Sequence, residues 1–153
     1  MPSPAPRVVA AVSSRLRPRI LAVLADCEVC FVSTGTELVR ALSAAPCALL
    51  MVEVHFDESA AAAALRCVFA CNGSFPVVCV RDVPGAKPAH AALNALRTTS
   101  GSVGARDFID LWQHPEDEAG NACVRARLQP HLQALNVIDQ ARPAALCPRH
   151  SEL

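Results

Sequence analysis

The stretch Ala48-Leu49-Leu50-Met51-Val52-Glu53-Val54 decides how this chain should be read. Six of its seven side chains are apolar, and the single charge comes at its end. An apolar run of this length suits a strand buried on both faces, which is the environment inside a parallel sheet. A carboxylate arriving at the end of such a strand lies where open α/β sheets bind ligands, outside the carboxyl ends of the strands.

The same alternation extends outward in both directions. Arg7 to Val12 reads as a first strand. Ser13 or Ser14 then caps a helix carrying Ile20, Leu21, Val23 and Leu24, with Pro18 in its first turn. Glu28 to Ser33 is a second strand. Thr34 and Glu37 have the spacing of a capping box, opening a helix with Leu38, Val39 and Leu42 inward until Pro46 stops it. After the third strand come an alanine-rich helix over residues 59–71, a fourth strand from Pro76 to Val80 and a helix over residues 88–96. Ala105 to Leu111 is a fifth, more polar strand suited to a sheet edge. Pro115 opens a last helix with Glu116, Asp117 and Glu118 at its positive end, and Pro130 should kink or end it, with a further helical piece to about Ala141.

Strands separated by helices require crossovers, and hence a parallel sheet with helices on both faces. The expected fold is α/β, a doubly wound five-stranded sheet of (βα)5 type in three layers. Residues 1–6 are expected to be disordered, 7–135 to form the domain, and 136–153 to be an extension, partly helical and then loose.

Composition narrows the function classes. The 153 residues are 52% hydrophobic, with fourteen basic and fourteen acidic side chains. That is too apolar for a disordered chain, and the balanced charge offers no basic stripe for nucleic acid. No apolar run approaches the ~20 residues of a membrane span, and the proline-rich start lacks the pattern of a secretion signal. A cytoplasmic protein is expected, with its eight cysteines mostly reduced. The abundance of alanine and arginine, with Lys87 the sole lysine, fits a GC-rich bacterial genome.

Two stretches carry a family resemblance. Ala48 to Val54 resembles the third strand of the receiver domains of bacterial response regulators, and Gly104-Ala105-Arg106-Asp107-Phe108-Ile109-Asp110 resembles the stretch through their fifth. Pro76 to Val80 is similar to their fourth. The resemblance spans about residues 7–135 and implies a flavodoxin-like fold and a role in two-component signalling or a phosphorelay. It also implies what should be found at each active position, and here every position departs. Ser13 and Ser14 stand where the family has the acidic pair that holds magnesium. Glu53 stands for the phospho-accepting aspartate, Arg81 for a threonine or serine, and Leu111 for a lysine. Two hydroxyls are poor ligands for a hard divalent cation.

The resulting expectation is a degenerate pseudo-receiver with no catalytic residues, metal or cofactor. It would act through contact with a signalling partner or with itself as a homodimer, and not with nucleic acid or membrane. Glu53 and Arg81 are expected to pair in the crevice, the alternative being that Glu53 solvates its mouth and Arg81 caps a strand end or faces solvent. Phe108, Leu111 and Trp112 are candidates for a contact surface, on the side formed in the family by the fourth helix, fifth strand and fifth helix. No helix-turn-helix is evident after Leu135, so output would come from a partner.

Two other readings stand beside this one. A small flavodoxin-like enzyme could use Glu53, His55 and Arg81, with Asp57 and Glu58 nearby, although no nucleophile elbow, phosphate loop or dinucleotide fingerprint is present. An atypical receiver could take phosphate on another carboxylate. Cys27-Glu28-Val29-Cys30 has redox-motif spacing but enters a strand instead of opening a helix, so the cysteines are read as small apolar residues, Cys47, Cys67 and Cys79 most firmly.

Overall fold

A computed structural model describes residues 2–53, 75–82 and 106–141, with side chains to residue 133. Five strands form one parallel sheet: β1 (Arg7–Ala11), β2 (Glu28–Val32), β3 (Leu49–Glu53), β4 (Val77–Arg81) and β5 (Asp107–Asp110), in the spatial order β2-β1-β3-β4-β5. This is the expected doubly wound α/β fold, with the polar fifth strand at an edge. The third and fourth helices of the sequence reading fall on residues 59–71 and 88–96, outside the described residues.

Strand alternation divides the core in two. Val8, Ala10, Val12, Leu49, Met51, Val78, Val80, Ile109 and Leu111 point to one face. That face is covered by helix α1 (Arg17–Val23), through Ile20 and Val23, and by helix α3 (Glu118–Ala141), through Val124, Leu128 and Leu132. Val9, Ala11, Val32, Leu50, Val52 and Val77 point to the other, against Leu38 and Ala41 of helix α2 (Gly35–Ala44). Because successive strand residues alternate, one step along a strand decides which helices its side chain meets.

Helix starts follow local chemistry, with one correction. The Thr34 hydroxyl accepts from the Glu37 amide at 3.2 Å, and the Glu37 carboxylate accepts from the Ser33 amide at 2.7 Å, so the capping box forms one residue wide of its usual partner. Leu38 is buried and Leu42 half-buried, but Val39 is exposed and does not face the core. Neither Ser13 nor Ser14 caps α1. The Ser13 carbonyl accepts from Leu16 in a turn, the helix begins three residues later after Leu16 without a side-chain cap, and Pro18 sits in its first turn.

Arginines close the ends of α2 and α1. Arg7 donates to the carbonyls of Ala41 and Ala45 at the end of α2. Arg125 donates to those of Ala22 and Val23 at the end of α1, both at 2.9 Å. Positive charge at a carboxyl-terminal helix end satisfies orphan carbonyls and opposes the helix dipole.

Helix α3 starts later than expected and joins the two expected pieces into one. Asp117 caps it by accepting from the Gly120 amide at 2.7 Å. It runs through Pro130 to Ala141, so the proline does not end it, and it crosses residue 135 without a break. Leu128 and Leu132 anchor the turns on either side to the core, while Pro130 lies on the exposed face. The hydrogen bond that Pro130 cannot donate would have gone to Ala126, which is exposed to solvent there.

Gly120 is the tightest point of the α3 start. A Cβ there would lie 1.8 Å from the carbonyl oxygen of Pro115, which is backbone and cannot swing aside. Gly120→Ala should therefore destabilise the protein by about 1–3 kcal/mol in denaturant unfolding, despite the better helix propensity of alanine. An unchanged or raised midpoint would contradict this packing.

Candidate functional site

The carboxyl ends of β1, β3, β4 and β5 bring together Ser13, Glu53, Arg81 and Asp110. Register determines who meets whom. Glu53 lies opposite Val80, and Arg81 opposite Asp110. Glu53 thus follows the parity of Val80, which faces α1 and α3, while Arg81 and Asp110 share the opposite face.

The expected Glu53–Arg81 pair does not form. A single residue of stagger sends the two side chains to different sides of the sheet. The Glu53 carboxylate instead accepts from the Ser13 amide at 2.6 Å, tying the end of β3 to the turn after β1. Arg81 reaches Asp110 at 3.2 Å through Nη1, and both are buried. Such a charge-assisted bond is what makes a guanidinium tolerable inside the protein. A further pair lies across the crevice mouth, where Arg15 meets the Asp82 carboxylate at 3.3 Å and its carbonyl.

Asp110 was not singled out by the sequence reading, yet it is the hub of this end of the sheet. Its Oδ2 takes Arg81, and its Oδ1 accepts from the Trp112 amide at 3.2 Å in the 3-10 turn Leu111–Gln113. The strict alternation of β4 and β5 was the available signal, since it places Arg81 and Asp110 on one face once the strands are aligned.

The candidate contact residues separate. Phe108 and Leu111 are core residues at 4% and 0% exposure, so neither is available to a partner in this conformation. Trp112 is 46% exposed and stands as the surface member of the group. Leu111, expected at the family's lysine position, is fully buried. His55, Asp57 and Glu58 lie outside the described residues.

The metal that the fold family implies does not suit the donors present. Ser13 and Ser14 offer hydroxyls, and the carboxylates of Glu53, Asp82 and Asp110 are already engaged by an amide or an arginine. Among the described residues no cluster of three or more His, Cys, Asp or Glu side chains is arranged to hold an ion.

The surroundings of two described thiols, Cys27 and Cys47, disfavour the nucleophilic thiolate. Cys27 precedes β2 instead of opening a helix, and burial together with the Asp26 charge pushes its pKa up. Burial also raises that of Cys47, whose sulfur hydrogen-bonds the Leu49 carbonyl. Cys47 and Cys79 are buried, as expected of small apolar residues, and Cys67 and Cys71 lie outside the described residues.

At the opposite end of β5, Asp107 forms a second polar cluster. It pairs with Arg127 of α3, lies 3.4 Å from His131 and accepts from the Phe108 amide. This end of the sheet is remote from the crevice, and the cluster fastens α3 to the edge strand.

No protein-family model matches the sequence, and no curated protein matches it. Solved structures match its fold. A signal receiver domain from Vibrio parahaemolyticus is 15% identical with a TM-score of 0.68, over 91% of this chain and 98% of that one. A receiver domain of an HD domain-containing protein from Pseudomonas fluorescens is 12% identical with a TM-score of 0.66, over 92% of this chain and 96% of that one. A redox sensor of the streptococci, evolved from two-component response regulators, is 13% identical with a TM-score of 0.66, over 97% of this chain and 60% of its own. The chain therefore has the flavodoxin-like fold of response-regulator receiver domains.

If Arg81 and Asp110 form a buried pair, their removal is non-additive. Arg81→Met alone should lower the unfolding free energy by about 3–5 kcal/mol, because it strands a buried carboxylate. Adding Asp110→Asn should recover about 1–3 kcal/mol. Additive losses in denaturant unfolding would show that the two charges act independently.

Proposed function

We propose that this chain is a receiver-like signalling module of two-component type that works by protein–protein contact without a phosphorylation cycle at Glu53. The observation that carries the reading is the closure of the crevice upon itself. Glu53 is hydrogen-bonded by the Ser13 amide, and Arg81 and Asp110 neutralise each other.

Phosphoryl transfer is driven mainly by electrostatic stabilisation of the charge on the transferring group. A receiver crevice of the usual kind supplies that through a metal ion and a lysine. Here the donor set favours neither, and the Arg81 and Arg15 guanidiniums are already paired, with Asp110 and Asp82. Glutamate at the acceptor position, hydrogen-bonded to the adjacent turn, supports a fixed rather than a cycling state.

Contact then becomes the output. Trp112 offers a large apolar surface directly after the edge strand, and aromatic residues of this kind dominate binding energy at interfaces. A partner protein and a second copy of the chain are both compatible with such a surface. The protein is read as bacterial, cytoplasmic and without enzymatic activity; among the described residues no helix is long and apolar enough to cross a membrane.

Incubating the full chain with a small phosphodonor and magnesium, followed by intact mass measurement, tests the reading. The mass should stay unchanged. A stoichiometric phosphate adduct would overturn it and favour an atypical receiver using another carboxylate.

A further inference from the structure

Arg19 lies in α1 and is 5% exposed, yet among the described residues none of its partners is a carboxylate. Its guanidinium donates to the carbonyls of Leu111 at 3.0 Å, His114 at 2.8 Å and Pro115 at 3.1 Å, and its Nε donates to the Asn121 side chain at 3.1 Å. Burying a charge without a counter-ion is costly unless every donor is satisfied. Here all the recorded acceptors lie in the segment after β5 or at the start of α3.

The other flank of the same segment is fixed by the Arg81–Asp110 pair, because Asp110 also accepts from the Trp112 amide. Leu111 is sealed in the core, and the His114 amide donates to the Leu111 carbonyl at 3.1 Å. Trp112 is therefore the exposed crest of a turn anchored at both feet.

We infer that Arg19, and Arg81 acting through Asp110, are positioning residues that hold Trp112 in one preformed orientation. A rigid aromatic loses little further freedom on contact, so fixing it in advance raises affinity without adding any interaction. What Trp112 contacts rests on the interaction reading above; the clamp itself does not.

Native-state hydrogen exchange on the full chain tests the clamp, using Arg19→Met, Arg19→Lys, Arg81→Met and Arg125→Met. Lysine keeps the charge of Arg19 but cannot span the three carbonyls with a planar fork. Arg125→Met loses a comparable arginine cap on α1 that does not touch the turn. Exchange at the Trp112 and His114 amides should accelerate at least about tenfold in both Arg19 variants and in Arg81→Met. It should stay within about twofold of the parent in Arg125→Met. Trp112 is the sole tryptophan, so its time-resolved fluorescence anisotropy should gain a fast component in the same three variants. Should Arg19→Met fail to fold, Arg19→Lys carries the comparison. Unchanged exchange at the turn in the Arg19 variants, or equal acceleration in Arg125→Met, would overturn the inference. A phosphate adduct in the preceding experiment would overturn the functional reading and leave this one untouched.

Discussion

Arg81 ends a strand whose residues are all buried, so its charge must find a partner inside the protein. Asp110 is that partner because parallel pairing sets the two residues opposite each other at the ends of β4 and β5. The same register sets the neighbouring contacts, because it places Glu53 opposite Val80 and so on the other face from Arg81. Glu53 meets the Ser13 amide on its own face, and Asp110 uses its second oxygen to hold the turn that bears Trp112.

The energetic logic differs from that of a site awaiting a ligand. A binding crevice keeps its charges poised and hydrated until the ligand replaces the water. Here two of the charge pairs, Arg81–Asp110 and Arg15–Asp82, meet within the protein at 3.2 and 3.3 Å. A buried pair of this kind adds little net stability over apolar replacements, but losing one member is expensive. Its effect is to fix a single arrangement of β4, β5 and the following turn. Arg19 does the same from the helical side, with carbonyl dipoles in place of a carboxylate.

Much of the fold was legible in the sequence, because the apolar run through Glu53 and the capping spacing of Thr34 and Glu37 are local signals. The polar composition of β5 likewise pointed to an edge. The site was less legible because it depends on register. Nothing local distinguishes an arginine facing α2 from one facing α1, and a one-residue stagger decided that Glu53 and Arg81 would not meet. Arg19 was hidden for a related reason. On the sequence it is one more charge on an amphipathic helix, and its acceptors lie more than ninety residues away. The starts of α1 and α3 shifted because tertiary contacts, not side-chain caps alone, determined the first turns. Packing at Leu128 and Leu132 likewise carried α3 through Pro130.

Among the described residues, the polar groups at the strand ends are engaged with one another, Glu53 with the Ser13 amide and Arg81 with Asp110, and the proposed absence of a phosphorylation cycle rests on that. The most direct measurement is an amide NMR titration of the full chain, first with magnesium and then with beryllium fluoride as a phosphoryl mimic. The account predicts that Ser13, Ser14, Glu53, Arg81 and Asp110 keep their resonances throughout. Saturable shifts concentrated at those residues, requiring both additions, would contradict it.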